Sequence, residues 1–222
     1  MKIILLNHKM NLYYEQLDEY INRVNKINKN LIIAPSNIYL LEFIKRCHHK
    51  ISCQDVCYIE DGNYTGKVSW SQMKSLGIKY AIVGHSEKND SIDKINAKLL
   101  SCEKSGITPI LCFGNRTKDE NPVETLKKIT NLNSNIIYAY EAIYSIGSDK
   151  FDLKEIITNI NDVYSYLYSK LKQPPTLIYG GGINESNINT IYHLDKLSGI
   201  LLGGKSANIG SLEVILNSIN EK

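Results

Sequence analysis

Short apolar runs alternate with apolar positions at helical spacing along this chain, and the alternation repeats almost from end to end. Lys2 to Leu6, Leu31 to Ala34, Ile51 to Gln54, Tyr80 to Val83, Thr108 to Phe113, Ile136 to Tyr140, Thr176 to Tyr179 and Gly199 to Leu202 each read as a short buried strand. Between them, Leu17, Ile21, Val24 and Ile27 mark a helix, and Ile38 to Ile44, Ile92 to Leu100 and a shorter piece near Asn121 to Thr130 mark others. The longest helical pattern joins Leu153, Ile156, Ile157, Ile160, Val163, Tyr164, Leu167 and Leu171, and a last one covers Leu212 to Ile219. Strand-helix alternation with no break in composition predicts parallel strands in one domain over residues 1–222.

The polar residues collect where strands should open onto loops. Ile136 to Tyr140 runs into Glu141 and then a small-residue loop through Gly147 to Ser148, and a carboxylate at that edge is where an α/β barrel places its chemistry. Asn7 and Lys9 leave the first strand two residues apart, so period-two geometry turns an amide and an ammonium the same way. Gly84-His85-Ser86-Glu87 closes the fourth strand, and Tyr179-Gly180-Gly181-Gly182 and Gly203-Gly204 follow the last two. Glycines let backbone N–H groups approach phosphate oxygens with no Cβ in the way. Taken singly, each piece also has a plain structural reading: a helix-start charge, a turn, a structural histidine.

Together these segments resemble the triosephosphate isomerase family along nearly the whole chain. The resemblance implies a compact (β/α)8 TIM barrel with short loops. It implies an enzyme that interconverts dihydroxyacetone phosphate and D-glyceraldehyde 3-phosphate by enediolate proton transfer, in glycolysis and gluconeogenesis, with no metal or cofactor. Glu141 is then the base and His85 a neutral imidazole that polarises the carbonyl, a state favoured if a helical turn begins at His85. Lys9 with Asn7 stabilises the enediolate, and Glu87 orients Lys9. Gly147, Gly182, Gly203 and Gly204 hold the phosphate, Tyr179 latches the mobile loop, and Ile146 with Leu201 clamps the carboxylate. Thr65, in the polar Asp61 to Lys67 loop, reaches a partner subunit, so a homodimer is implied. His8 stands where the family has an aromatic residue and is taken as scaffold.

The chain also departs from the family pattern. Lys67 replaces a glutamate, Lys88-Asn89 an arginine pair, Ala142 a proline, Tyr144 a tryptophan, Asn115 a glutamate and Gly182 a serine. Tyr144 and Asn115 read as a compensating pair, and Ala142 as a looser hinge. Two other readings share some of these residues: a different barrel enzyme acting on a phosphorylated sugar, and a catalytically weak barrel kept for binding.

Composition narrows the class further. The chain is 43% hydrophobic and 22% charged with a net charge of +3, and its lysines are spread along helices, which gives no footprint for nucleic acid. Lys45 to Lys50 is a local basic cluster that reads as a solvated helix end. Cysteines 47, 53, 57, 102 and 112 lack zinc-site spacing and read as reduced, buried thiols, mostly in or beside strands, in keeping with a cytoplasmic location. Met1 to Leu6 is too short for a signal segment, and no run approaches the roughly 20 apolar residues of a membrane span.

Overall fold

The computed structural model of the chain describes residues 1–117, 119–145 and 152–220. Among these, eight strands close into a parallel barrel in chain order: β1 (Ile3–Asn7), β2 (Asn30–Ala34), β3 (Lys50–Cys53), β4 (Tyr80–Val83), β5 (Thr108–Asn115), β6 (Ile137–Ala142), β7 (Thr176–Gly180) and β8 (Gly199–Leu202). Closure is made by β1, whose Ile3 pairs with Asn30 on one side and Gly199 on the other. Outside run α1 (Leu17–Val24), α2 (Leu40–Arg46), α3 (Trp70–Ser75), α4 (Ile92–Ser105), α5 (Pro122–Lys127), α6 (Leu153–Leu171), α7 (Ile188–Tyr192) and α8 (Ile209–Asn217).

The strands are apolar runs rather than alternations because both of their faces are buried. Leu5, Ile32, Ile82, Ile110, Cys112, Ala139, Ile178 and Leu201 fill the barrel interior. Their neighbours in sequence, among them Ile4, Leu6, Ile33, Leu111, Tyr138 and Leu177, turn outward beneath the helices. On α6 the positions that cover this layer are Ile156, Ile160, Val163 and Leu167. Its start is capped by Asp152, whose carboxylate accepts from the N–H groups of Lys154 and Glu155.

Four strand ends lie further along the chain than the apolar pattern indicates, β1 and β7 by one residue and β5 and β6 by two. β5 continues to Asn115 and β6 to Ala142, because the ladder persists through the pairs Gly114 with Glu141 and Asn115 with Ala142. Glu141 therefore belongs to the strand rather than to the loop after it, and backbone pairing holds it in place. Gly114 is required there: a Cβ on it would lie 1.8 Å from the Glu141 carbonyl oxygen.

No helix among the described residues is long and apolar enough to cross a membrane. All five cysteines are unpaired, with Cys53, Cys102 and Cys112 buried. Cys102 lies on α4.

Candidate active site

The first polar group comes from the end of β1. Asn7 is buried, and its Oδ1 accepts the Lys9 N–H at 3.2 Å. Lys9 has φ 53°, a left-handed conformation that costs a residue with a Cβ roughly 1–2 kcal/mol. Gln54, just past β3, helps hold it there by donating from Nε2 to the carbonyls of Lys9 at 2.8 Å and Ala34 at 2.9 Å. The bent backbone sends Lys9 Nζ to Glu87 Oε1, 2.5 Å away.

His8 turns the other way. It is fully buried, and its Nε2 lies 2.8 Å from Tyr20 Oη, which donates onward to the Ser206 carbonyl at 2.8 Å. Because the tyrosine proton is committed to Ser206, Nε2 is the donor to Tyr20. Burial pulls the His8 pKa down to about 3, so the ring is neutral and braces β1 against α1.

His85 follows β4 and caps a single 3₁₀ turn, Ser86–Lys88. Its Nδ1 accepts the Glu87 N–H at 3.3 Å. An acceptor Nδ1 puts the proton of a neutral ring on Nε2. That Nε2 stands 3.3 Å from Glu141 Oε1, with both side chains almost wholly buried. Glu87 thus touches two elements of the site, Lys9 through its carboxylate and His85 through its N–H.

Lys9, His85 and Glu141 line one cavity of about 350 Å³. Its far wall is Gly180, Gly181 and Gly182 after β7 and Gly203 and Gly204 after β8, with Leu201 beside them. A Cβ built on Gly180 would touch Leu201 at 3.2 Å and the Glu141 Cγ at 3.6 Å, so leucine, glycine and carboxylate stack directly. Gly182 has φ +52°, and its carbonyl accepts from Asn187 Nδ2 at 2.9 Å. A Cβ there would lie 2.9 Å from the Ser145 carbonyl. Ile146 and Gly147 lie outside the described residues.

Tyr179 is fully buried with its ring edge against Tyr140, and its hydroxyl faces the Ser145 side chain. Burial pushes its pKa up to about 12, leaving a neutral donor beside the turn that follows β6. Tyr144 and Asn115 do not pair as the sequence reading expects. Asn115 Oδ1 accepts from Tyr140 Oη at 3.0 Å and its Nδ2 donates to the Thr117 carbonyl, while Tyr144 is hydrogen-bonded to Glu155. The Tyr140 hydroxyl on the adjacent strand β6 takes the amide instead.

Thr65 lies apart from this cavity, in an exposed loop that borders a separate hollow of about 490 Å³. Lys67 in that loop sits 5.2 Å over the Tyr64 ring and 5.8 Å over the Tyr58 ring rather than in an ion pair of the family kind. Gln54, Ile183, Asn184 and Lys205 escaped the sequence reading, although Ile183 and Lys205 directly follow the glycine turns. Gln54 carried only the weak signal of an amide closing an apolar run.

Polar groups converging on one cavity at the C-terminal mouth of a closed (β/α)8 barrel define a barrel enzyme, with glycine turns in the position of a barrel phosphate site. The model of the triosephosphate isomerase family matches residues 2–219. Triosephosphate isomerase of Orientia tsutsugamushi (strain Ikeda) is 32% identical, covering 98% of this chain and 97% of the relative. That of Trichormus variabilis is 34% identical over 76% of this chain and 74% of the relative, and that of Mycoplasma genitalium 31% identical over 83% and 84%. The chain belongs to the triosephosphate isomerase family.

Proposed function

We propose that this chain interconverts dihydroxyacetone phosphate and D-glyceraldehyde 3-phosphate, with Glu141 as the base that moves the carbon-bound proton. The carboxylate takes a proton from the carbon beside the carbonyl, and the electron pair flows onto the carbonyl oxygen to give an enediolate. The same group, now a carboxylic acid, returns the proton to the neighbouring carbon. His85 donates from Nε2 to the carbonyl oxygen and moves a proton between the two oxygens. Triosephosphate isomerase is itself a standard illustration of this acid-base division, so the logic is borrowed from it. Lys9, kept in place by Glu87, offsets the charge that develops on oxygen, and Asn7 is a buried auxiliary.

The observation that carries this reading is the 3.3 Å separation of Glu141 Oε1 and His85 Nε2 on the wall of a cavity that Lys9 also lines. A carbon and its attached oxygen can meet both groups together. Gly182, Gly203 and Gly204 present backbone N–H groups for the phosphate, and Gly147 completes the set in the family pattern. Closure of the segment after Ser145, with Tyr179 as latch and Ile146 and Leu201 against the carboxylate, excludes water and limits loss of phosphate from the enediolate. No further group is needed for these steps. The assembly we infer is a homodimer in which Thr65 meets the partner's active site, and the location cytoplasmic, which five unpaired thiols support.

The test is steady-state isomerisation of D-glyceraldehyde 3-phosphate by wild type and Glu141→Asp, with an assay for the elimination product. Shortening the carboxylate by one methylene withdraws the base from the carbon and should lower kcat by about a hundredfold or more. A folded wild type that does not turn over would refute the isomerase assignment.

A further inference from the structure

The charges around the phosphate end of the cavity are unevenly satisfied. A triose phosphate brings close to two negative charges, and the glycine turns answer them with backbone dipoles alone. Among the side chains that line the cavity, the ammonium groups are those of Lys9 and Lys205. Lys9 is already bound to the Glu87 carboxylate. Lys205 lies in the 3₁₀ turn Gly204–Ala207, one residue past the second glycine of its pair. It is exposed, and its ammonium makes no ion pair or hydrogen bond among the described residues. The turn that carries it is anchored: Ser206 N–H donates to the Gly203 carbonyl at 2.9 Å, and the Ser206 carbonyl accepts from Tyr20 Oη. An exposed cation is therefore tethered to an anchored turn at the end of the cavity lined by Gly203 and Gly204. Gly182, on the opposite turn, has no side chain to offer the phosphate.

We infer that Lys205 is a substrate-binding residue of this site, a cation that contacts the phosphate dianion beside Gly203 and Gly204. The inference rests on the isomerase reading only for the identity of the substrate, since the ligand chemistry it requires is a phosphate group. Binding energy from a remote group of the substrate is spent on the transition state as well as on affinity, so the contact is read on inorganic phosphate alone and on kcat/KM.

Calorimetric titration of inorganic phosphate into wild type, Lys205→Ala and Lys205→Arg, beside KM and kcat for D-glyceraldehyde 3-phosphate, tests it. Lys205 is exposed, and the hydrogen bonds that anchor its turn are made by Gly203, Ser206 and Tyr20, so both variants keep the fold. An exposed charge-assisted contact predicts that Lys205→Ala weakens phosphate by about three- to tenfold and lowers kcat/KM by at least a similar factor, with Lys205→Arg near wild type. The gap between wild type and Lys205→Ala closes as salt rises, because exposed charges are screened. Unchanged phosphate affinity in Lys205→Ala overturns the inference whatever the turnover. So does a gap that persists undiminished at high salt. A wild type that binds phosphate through Lys205 but does not isomerise would sink the proposed function and leave this inference standing.

Discussion

Replacing Gly182 by the serine usual in the family is the substitution on which sequence and structure disagree about the sign. Sequence comparison suggests that the hydroxyl is missing and that restoring it should help to hold the closed loop. The structure says that the site has no room for the Cβ. Gly182 has φ +52°, and a Cβ would lie 2.9 Å from the Ser145 carbonyl oxygen, closer than side-chain carbons approach backbone oxygen. The left-handed backbone costs about 1 kcal/mol for a residue with a Cβ, and relieving the contact costs a similar amount, so Gly182→Ser should lose about 1–3 kcal/mol. For a chain of this size that is a fall in Tm of about 2–10 °C. Ser145 sits three residues beyond the last pair of β6, so the displaced carbonyl pulls on the strand end that carries Glu141, and kcat should fall by about tenfold. Scanning calorimetry and steady-state kinetics on Gly182→Ser and Gly182→Ala together separate the two parts of the side chain. Equal losses in both variants assign the effect to the Cβ. A serine variant that matches or exceeds wild type in both Tm and kcat would refute the steric argument.

Two further expectations concern buried titratable groups. His8 is held neutral with its pKa down from 6.5 to about 3, so its contribution to stability is complete above pH 6.5 and is lost as pH falls toward 3. In that window the unfolded chain binds a proton that the folded chain refuses, a slope of about 1.4 kcal/mol per pH unit. Urea unfolding at a series of pH values should show it, and His8→Phe, which keeps the ring packing against Tyr20 and Phe43, should remove it; identical slopes would contradict the assignment. Lys98 on α4 is buried and donates to Asp55 Oδ1 and Asp90 Oδ2, both at 2.5 Å. Burial opposes its charge, yet these two hydrogen bonds outweigh burial and the pKa stands above the ordinary lysine value. Lys98→Met strands the carboxylates, and equilibrium unfolding should record a loss of about 3 kcal/mol, the low end for a broken buried pair because Lys88 and Lys94 still reach Asp55 and Asp90.

Much of the fold was legible because its strands are buried on both faces and read as continuous apolar runs. β4 and β8 match their apolar runs, and α6 runs from Leu153 to Leu171 as its spacing indicates. Short elements were not legible. α3 buries only Met73 and α7 only Ile188 and Ile191, too few positions to establish a helical period. The strand ends were legible only approximately, since β5 and β6 are prolonged by pairing with each other rather than by their own composition.

The site divides along the same line. Residue type and strand-end position marked Lys9, His85, Glu141 and the glycine turns as candidates and the family resemblance chose among their readings; they meet in one cavity because a barrel gathers the ends of its strands at one mouth. Sequence alone did not show that Gln54 holds the Lys9 carbonyl, that a backbone N–H from Glu87 selects the His85 tautomer, or that Asn115 is taken by Tyr140. It did not show that Gly182 leaves no space for a side chain, or that Lys205 lines the cavity. Each of these depends on distances of about 3 Å between groups far apart in the chain or on opposite sides of a turn. Apolar periodicity reports which face of an element is buried, a property of each segment by itself. Hydrogen-bond partners and steric room belong to pairs of segments, and only the closed barrel brings those pairs together.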